Sequence, residues 1–500
     1  MEPGQRSYLL PLLTLSLLYL FGMPLWAIVV VTVWYLVLLW LEDTGVLDQY
    51  EISRMLGVVL MVRTKQGQSI LERVSRNRSF WRGFGEFSIW LCLVIMVGVV
   101  ALLLASAIST AISPPQDYLP ASDLLLIPGV TSFVPFWWPV LALIFALVIH
   151  EYSHGIQARA HGMRVRSFGL LLAGPIPIGA FAEPQHHEMV RAPLRERMRL
   201  YAAGPSINII ATYLALLLLS AAATGMVASH SGVYATGIIS DEGADEGGLM
   251  PYEIIIRIDG VRISDYSEFS EQMDLLSAGD EVTLTKLSHP NSNGLRTVRD
   301  ISVTLGDQHD YWIDRCEGDS VCIEDTESLL ADSGIEKGDA FLGVSGLRST
   351  NSTVHMYSNI TSSERGLLHN TLVTGLAPLG MIGVPIAYDG QTMLLEEREM
   401  MRAGDGIIAS ALGTDGMLML FDFLFWMVWI NFLLGFANLI PMIPFDGGHI
   451  VKDGVHSVLS RLAKGANPLR IESIAGRISS MSSFVILFIV MMPIILPRLV

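Results

Sequence analysis

Long apolar runs alternate with charged connections along the chain. Seven runs can be marked, at about residues 8–23, 25–41, 87–109, 136–157, 200–228, 417–440 and 480–497. A helix needs about 20 apolar residues to cross the hydrocarbon core of a bilayer. The pattern therefore predicts a polytopic α-helical membrane protein with six or seven transmembrane helices. No small-residue cleavage site separates the first two runs, so we expect them to form a retained hairpin.

The connections between the runs differ in their basic residues. Connections 42–85, 158–199 and 441–479 are rich in Lys and Arg, whereas 110–135 contains neither. Because basic connections stay on the cytoplasmic side, these three are predicted to be cytoplasmic. The connection 110–135 and the insert that follows residue 228 are then predicted to lie outside.

This orientation suggests a division of the chain. Residues 1–135 would hold the first helices and the cytoplasmic loop 42–85, and 231–400 an extracytoplasmic insertion. The membrane core would be formed by 136–230 and 415–500. The protein is thus expected to be an integral, multi-pass protein of the cell membrane, with the lipid bilayer as a partner.

Composition agrees with this class. The 500 residues are 51% hydrophobic and 16% charged, below the quarter that is usual in soluble proteins. A net charge of −16 argues against a nucleic-acid partner, which normally requires a basic face.

The insertion has the pattern of an α+β domain. Ile254–Ile258 is rich in β-branched residues, Asp259-Gly260 is a turn signal, and 282–287 alternates. Apolar residues at helical spacing predict a helix within 265–276. Cys316 and Cys322 could form a disulfide if the insertion is extracytoplasmic, or remain free thiols.

The strongest chemical signal is His150-Glu151-Tyr152-Ser153-His154, which continues the fourth apolar run. In a helix, residues i and i+4 share a face, so both imidazoles could bind one metal ion. Glu151 could take a proton from water activated by that ion. The alternative is a polar cluster where the helix meets the cytoplasmic interface.

A second polar segment closes the run 417–440. It reads Asn438-Leu-Ile-Pro-Met-Ile-Pro-Phe-Asp446-Gly447-Gly448, with prolines that end a helix. Asp446 could supply the third protein ligand that a catalytic zinc needs. His449 is a rival ligand, and a solvated aspartate in an interfacial loop is the alternative interpretation.

The two motifs, together with Gly204-Pro205-Ser206-Ile207-Asn208 between them, resemble the site-2 protease family of intramembrane zinc metalloproteases, peptidase family M50, in an archaeal-like form. The resemblance implies that zinc is bound by His150, His154 and Asp446. It also implies that Glu151 is the general base, and that Asn208 and Asn438 support substrate or transition state.

Two further segments share in the resemblance. In the family, the segment that corresponds to residues 167–184 is a membrane-embedded β-like loop that pairs with unwound substrate. The alternative interpretation of this segment is an amphipathic interfacial loop. Residues 232–287 are similar to a PDZ domain, although Pro251-Tyr252-Glu253 departs from its usual pattern. Residues 331–346 could belong to a second or split PDZ-like unit. Because these departures from the usual PDZ pattern argue against binding of peptide ends, the insertion could act mainly as a filter of substrate size.

The predicted function is hydrolysis of peptide bonds in or beside the transmembrane helices of single-span membrane proteins. Three alternatives remain. The first is a transporter that uses the same groups as an ion path, and the second is an inactive scaffold that presents the PDZ-like domain. The third is a zinc protease with a glutamate ligand that cuts at the membrane surface.

Overall fold

The computed structural model describes residues 19, 25–50, 52–55, 59–64, 68–116, 120, 123, 126–173, 176–291, 294–361, 367–463 and 467–498. The chain forms two compact units. The first comprises Met1–Leu218, Thr371–Thr392 and Asp422–Val500, and the second comprises Leu219–Asn370 and Met393–Phe421.

Within the described ranges, five helices are long and apolar enough to cross a membrane. They are Arg78–Ile112, Trp137–Ala160, Leu194–Thr224, Ile407–Asn438 and Leu469–Arg498. These match the last five apolar runs and support a multi-pass membrane protein. The second run forms the helix Leu25–Asp43, which is not among the five. The first run lies outside the described residues except for Tyr19, so the count of six or seven stays a prediction.

The helix Arg78–Ile112 shows how these segments pack. Its buried residues recur at spacings of three and four, which places them on one face of a helix. They are Ile89, Cys92, Met96 and Val99, and they pack with Met198, Ala202, Leu439 and Ile450. Val94 and Val97, on the opposite face, are each 71% exposed, as expected of residues that contact lipid.

The first unit contains a four-stranded antiparallel sheet in the order Ile52–Met55, Val59–Thr64, Val165–Ala173, Ile176–Pro184. Residues 167–184 are thus β structure, with Ile176–Pro184 at the edge of the sheet. Residues 174–175 lie outside the described ranges. Pairing of this segment with a substrate stays a prediction. The unit's other helices are Val46–Gln49, Gln68–Val74, His186–Arg191, Val384–Ala387 and Asp446–Leu462.

The expected insertion 231–400 is not continuous in space, because residues 371–392 belong to the first unit. This stretch includes most of the apolar helix Leu367–Met381. Tyr213 Oη donates to Gly375 O at 2.7 Å, and Trp429 Nε1 donates to Ile382 O at 3.3 Å. These bonds tie the stretch to two of the long helices of the first unit.

The second unit is α+β. Its main sheet has the order Val298–Thr304, Glu281–Leu287, Ile254–Ile258, Val233–Tyr234, Arg348–Ser349, with Val261–Arg262 also paired to Ile254–Ile258. Three two-stranded pairs join Met226–Ala228 to Met401–Ala403, Gly237–Ile238 to Val344–Ser345, and Gly306–Asp307 to Ala340–Phe341. The helices are Gly243–Glu246, Tyr266–Met273, Gln308–Asp314, Ser320–Asp332, Ser352–Ser358 and Leu395–Met400.

The local predictions for this unit are confirmed at four places, one of which is the alternating stretch 282–287 in the strand Glu281–Leu287. Ile254–Ile258 is a strand, and the turn after it places Asp259 at φ 48° and Gly260 at φ 80°. The helix Tyr266–Met273 begins after Asp265, whose side chain accepts a hydrogen bond from Glu268 N. Such a cap satisfies one of the unpaired N–H groups at a helix start.

Two open questions from the sequence are answered by the fold. Cys316 and Cys322 form a disulfide. Residues 340–349 pair with the earlier strands Gly306–Asp307, Gly237–Ile238 and Val233–Tyr234, so they complete the same unit, as in the split alternative, rather than form a second one. The likeness of this single unit to a PDZ domain stays a prediction.

A buried ion pair links the strand Glu281–Leu287 of the second unit to Glu253. Lys286 Nζ donates to Glu253 Oε2 at 2.6 Å and to Gly248 O at 2.6 Å, and both charged side chains are 6% exposed. We expect Lys286→Met to destabilise this unit by about 3–5 kcal/mol, because Glu253 would be left buried without its partner. Faster hydrogen exchange of the backbone amides in Glu281–Leu287, measured on the full chain, would report this loss of stability. The double variant Glu253→Leu/Lys286→Met should recover part of it, and unchanged exchange in the single variant would contradict the expectation.

Candidate active site

Two histidines and a glutamate project from the helix Trp137–Ala160. His150 and His154 are separated by about one helical turn, which brings their rings to a centroid distance of 4.8 Å. The two residues are 4% and 8% exposed. Glu151 is half-buried and lies one position along the same helix. The helix thus presents two buried imidazoles together, as the spacing predicts.

Asp446 reaches the histidines from the first turn of the helix Asp446–Leu462. The two glycines after Asp446 allow the first turn of this helix to pack closely against the backbone of the residues that precede it. A Cβ at Gly447 would lie 2.7 Å from Ile440 O, and one at Gly448 would lie 2.5 Å from Ile443 N. Both contacts are too short for any side chain. The Asp-Gly-Gly sequence therefore places the carboxylate by permitting a close turn.

The separations between Asp446 and the two histidines match a zinc site. Asp446 Oδ2 lies 3.3 Å from His150 Nε2 and 3.4 Å from His154 Nε2. These distances exceed those of a charge-assisted hydrogen bond, about 2.7–2.9 Å. Two ligands held about 2.0–2.1 Å from a tetrahedral zinc would be about 3.3–3.4 Å apart. The ligand atoms of all three residues lie within 4.8 Å of one another. The donor set fits zinc, and three protein ligands leave a fourth position open.

Gly204 forms the wall beside the two imidazoles. A Cβ at this position would lie 2.6 Å from His150 Nε2 and closer still to His154 Nε2. The space that a shared metal ion would occupy is therefore bordered by a residue that has no side chain. Gly204 belongs to the motif at residues 204–208, but no sequence pattern indicates this role for it.

Hydrogen bonds on the far side of each ring fix which nitrogen faces the cluster. His154 Nδ1 lies 2.8 Å from Leu200 O, and His150 Nδ1 lies 2.5 Å from Asn208 Oδ1. Both partners are acceptors, so each Nδ1 carries the proton. The lone pair is then on Nε2, where a metal would bind. Such outer bonds are usual for histidines that bind metals.

Both the oxygen and the nitrogen of the Asn208 side-chain amide form hydrogen bonds inside the protein. Its Nδ2 donates to Ala146 O at 3.1 Å and to Asn431 Oδ1 at 2.9 Å, while Asn431 Nδ2 donates to Met427 O at 2.9 Å. Both asparagines are completely buried. Asn208 therefore orients His150, and its expected support of substrate or transition state stays a prediction.

Asn431 lies in no motif of the sequence, so it was not among the predicted site residues. The only available signal is an amide within an apolar run, since such a group must find a hydrogen-bond partner.

Asn438 and His449 do not join the cluster. Asn438 Nδ2 donates to Leu434 O of its own helix at 3.0 Å. The ring of His449 stacks on Tyr201, with centroids 4.7 Å apart and an interplanar angle of 15°. The proposed support from Asn438 stays a prediction, and the geometry favours Asp446 over His449 as the third ligand.

We expect Asn431→Leu to weaken zinc binding about 10–100-fold, the usual cost of removing an outer hydrogen-bond partner. The leucine would remove the acceptor for Asn208 and loosen the orientation of His150. Competition with a chelator of known affinity would measure the change in purified protein. Asn438→Leu is the matched control and should retain zinc affinity. Equal affinity in both variants would show that the Asn208–Asn431 bond does not act on the site.

Comparison with known proteins agrees with this geometry. The model of peptidase family M50 matches residues 138–486. An uncharacterized protein of Methanocaldococcus jannaschii is 26% identical over 242 residues, which cover 47% of this chain and 61% of that protein. A protein of Campylobacter jejuni named as a candidate zinc metalloprotease is 22% identical over 182 residues, which cover 30% of this chain and 48% of that protein. The chain thus spans about half to three-fifths of the length of these relatives. The family match covers most of the chain and encloses both motifs, so this protein belongs to peptidase family M50, a family of membrane zinc metalloproteases.

Proposed function

We propose that this protein is a zinc endopeptidase that hydrolyses peptide bonds in or near the transmembrane segments of single-span membrane proteins, as a step of regulated intramembrane proteolysis. The observation that carries the proposal is the spacing of Asp446 Oδ2 from the two imidazoles, 3.3 Å and 3.4 Å. Both histidines lie in a helix that is long and apolar enough to span a bilayer. Ionisable groups in such helices are costly and usually functional.

The roles of the residues follow from their chemistry. His150, His154 and Asp446 would hold the zinc. When bound, zinc would act as a Lewis acid, which would lower the pKa of water and polarise the scissile carbonyl. Glu151 would accept the proton of the attacking water and return it to the leaving amine. Asn208 would keep the Nδ1 proton of His150 directed away from the metal side, through the 2.5 Å contact.

A transmembrane substrate must expose its scissile carbonyl before attack, since helical carbonyls are already hydrogen-bonded. The edge strand Ile176–Pro184 would accept the unwound segment, because an exposed edge can add an extended peptide as a further strand. Substrates with helix-breaking residues would therefore be cut faster than stiff poly-leucine segments.

The proposed setting is the cell membrane, with the lipid bilayer around the long helices. Residues 1–135 would form the first helices and the cytoplasmic loop 42–85. The parts 136–230 and 415–500 would form the protease core, and the insertion within 231–400 would be extracytoplasmic. The basic connections 158–199 and 441–479 support this orientation.

Mapping the cut sites of purified protein on a labelled single-span reporter would test this function. Two reporters are compared, one with a Gly-Pro pair in its transmembrane segment and one with poly-leucine. The expected result is cleavage within or next to the transmembrane segment of the first reporter, with slower cleavage of the second. Cuts confined to soluble loops, or equal rates for both reporters, would contradict the proposal.

A further inference from the structure

The helix Asp446–Leu462 contacts the helix Leu194–Thr224 along one line of side chains, inside the first unit. His449 stacks on Tyr201, Ile450 packs with Met198 and Ala202, and Asp453 bonds to Arg197. Residues 446, 449, 450 and 453 follow the i, i+3, i+4, i+7 spacing of one helix face. Their partners descend in number as they ascend, so the two helices run antiparallel. Asp446 thus shares its face with the residues that dock its helix.

Arg197 binds Asp453 through two nitrogens of its guanidinium. Nε donates to Asp453 Oδ2 at 3.0 Å, and Nη2 donates to Asp453 Oδ1 at 2.7 Å. The third nitrogen, Nη1, donates to Val190 O at 3.3 Å. A bidentate pair between arginine and a carboxylate fixes direction as well as distance. This contact therefore defines where one helix lies along the other.

Stability is a poor explanation for this pair, because it is largely buried. The side chains of Arg197 and Asp453 are 20% and 5% exposed. Apolar residues of similar volume often stabilise a fold as well as a buried ion pair does, and the best-attested use of such a pair is to fix a register. The neighbouring contact of Ile450 is apolar. Apolar side chains can pack at several offsets, whereas the arginine fork requires one.

The two helices contribute different parts of the zinc site. The helix Leu194–Thr224 orients the imidazoles, since Leu200 O accepts a hydrogen bond from His154 Nδ1 at 2.8 Å and Asn208 Oδ1 accepts one from His150 Nδ1 at 2.5 Å. The helix Asp446–Leu462 carries the carboxylate in its first turn. The Arg197–Asp453 pair therefore joins the helix that orients the histidines to the helix that supplies the aspartate.

Asp453 itself lies too far along its helix to bind the same metal ion as Asp446. The two residues are seven positions apart, which is about 10 Å at a rise of 1.5 Å per residue. The metal site still depends on the position of this helix, because ligand distances must be held within about 0.2 Å. Since Asp446 is in the first turn, any slide or rotation of the helix moves its carboxylate directly.

We propose that Arg197 and Asp453 are positioning residues, which keep the carboxylate of Asp446 within bonding distance of a zinc ion held by the two imidazoles. The inference rests on the proposed function, since it takes Asp446 as a zinc ligand. It adds that loss of the ion pair weakens zinc binding even where the fold is intact.

Chelator competition on the purified full-length protein compares Arg197→Met with the matched control Arg54→Met. Arg54 also donates through Nε and Nη2 to a carboxylate, that of Glu42, at 2.9 Å and 2.6 Å, and its side chain is likewise 20% exposed. That pair joins the helix Leu25–Asp43 to the strand Ile52–Met55, and neither element carries a residue of the zinc site.

Arg197→Met is expected to bind zinc at least about tenfold more weakly than wild type, the lower end of the effect of outer partners on metal affinity. Arg54→Met should bind zinc like wild type. Equal affinity in the two variants would overturn the proposal and leave the proposed function standing. A wild-type protein that bound no zinc would overturn both.

A double variant separates positioning from stability. Arg197→Met/Asp453→Leu replaces the ion pair by an apolar contact, which should return the melting temperature of the zinc-free protein to near the wild-type value. Its zinc affinity should stay at least about tenfold below that of wild type, because an apolar contact does not fix the register. If the double variant regained full zinc affinity together with stability, the pair would be structural only and the proposal would be wrong.

Hydrogen exchange on the wild-type protein tests the same link without a variant. Coupling between two sites is reciprocal, so removal of zinc by a chelator should speed exchange of the amides around Asp453 as well as those beside Asp446. The strand Ile52–Met55, which holds Arg54, should not respond. Unchanged exchange at residues 450–457 after zinc removal would overturn the proposal even if Arg197→Met failed to fold.

Discussion

Glu151→Gln is expected to lower the rate of reporter cleavage by about 10²–10⁴-fold while leaving zinc bound. Glutamine has nearly the same shape as glutamate but cannot accept the proton of the attacking water. Glu151 is not one of the three residues whose ligand atoms cluster, so its replacement should not remove the metal. Initial cleavage rates and zinc content would be measured on the same purified samples.

Glu72→Gln is a suitable control for that experiment. Glu72 makes a surface ion pair with Arg159 at 2.9 Å, and its side chain is 63% exposed. Exposed pairs contribute little to stability, so this variant should cut at the wild-type rate. If Glu151→Gln cut as fast as Glu72→Gln, Glu151 would not be the general base.

Gly204→Ala is expected to abolish stoichiometric zinc binding, with an affinity loss greater than about 100-fold. The added methyl group would lie 2.6 Å from His150 Nε2 and closer to His154 Nε2, so it would displace the imidazoles or occupy the metal position. The expected loss exceeds that of outer hydrogen-bond changes, which is about 10–100-fold. Zinc content after dialysis, together with cleavage rate, would measure it.

Gly98→Ala is the matched control for this substitution. Gly98 also lies within a long apolar helix, Arg78–Ile112, but a Cβ there would meet no atom within 4 Å. It should bind zinc and cut like wild type. Full zinc occupancy in Gly204→Ala would mean that the metal lies elsewhere.

The part of the site that depends on local helix geometry, the pair of histidines, is predicted from the sequence. His150 and His154 share a helix face because of their spacing alone, and the structure places their rings 4.8 Å apart. The contribution of Asp446 required a motif resemblance, since no periodicity brings a distant segment to that helix. The functional roles of Gly204 and Asn431 depend on which atoms pack next to them. Those contacts are tertiary and leave no pattern in the sequence.

The second unit shows the same limit. Strand Ile254–Ile258 and helix Tyr266–Met273 were predicted because β-branched residues and helical spacing are local signals. The pairing of 343–350 with 232–239 was not predicted, because two-residue strands are too short to show alternation. The sequence left a second or a split unit open at 331–346, and the structure pairs residues 340–345 with earlier strands of the same unit, which agrees with the split alternative.

X-ray absorption at the zinc edge of the purified protein would identify the ligands of the metal directly. We expect one zinc per chain with two imidazole nitrogens and oxygen ligands at about 2.0–2.1 Å, and loss of this signal in Asp446→Ala. The three residues that cluster in the structure provide this donor set. A zinc–sulfur distance of about 2.3 Å, or a spectrum unchanged in Asp446→Ala, would contradict the assignment of the zinc to His150, His154 and Asp446.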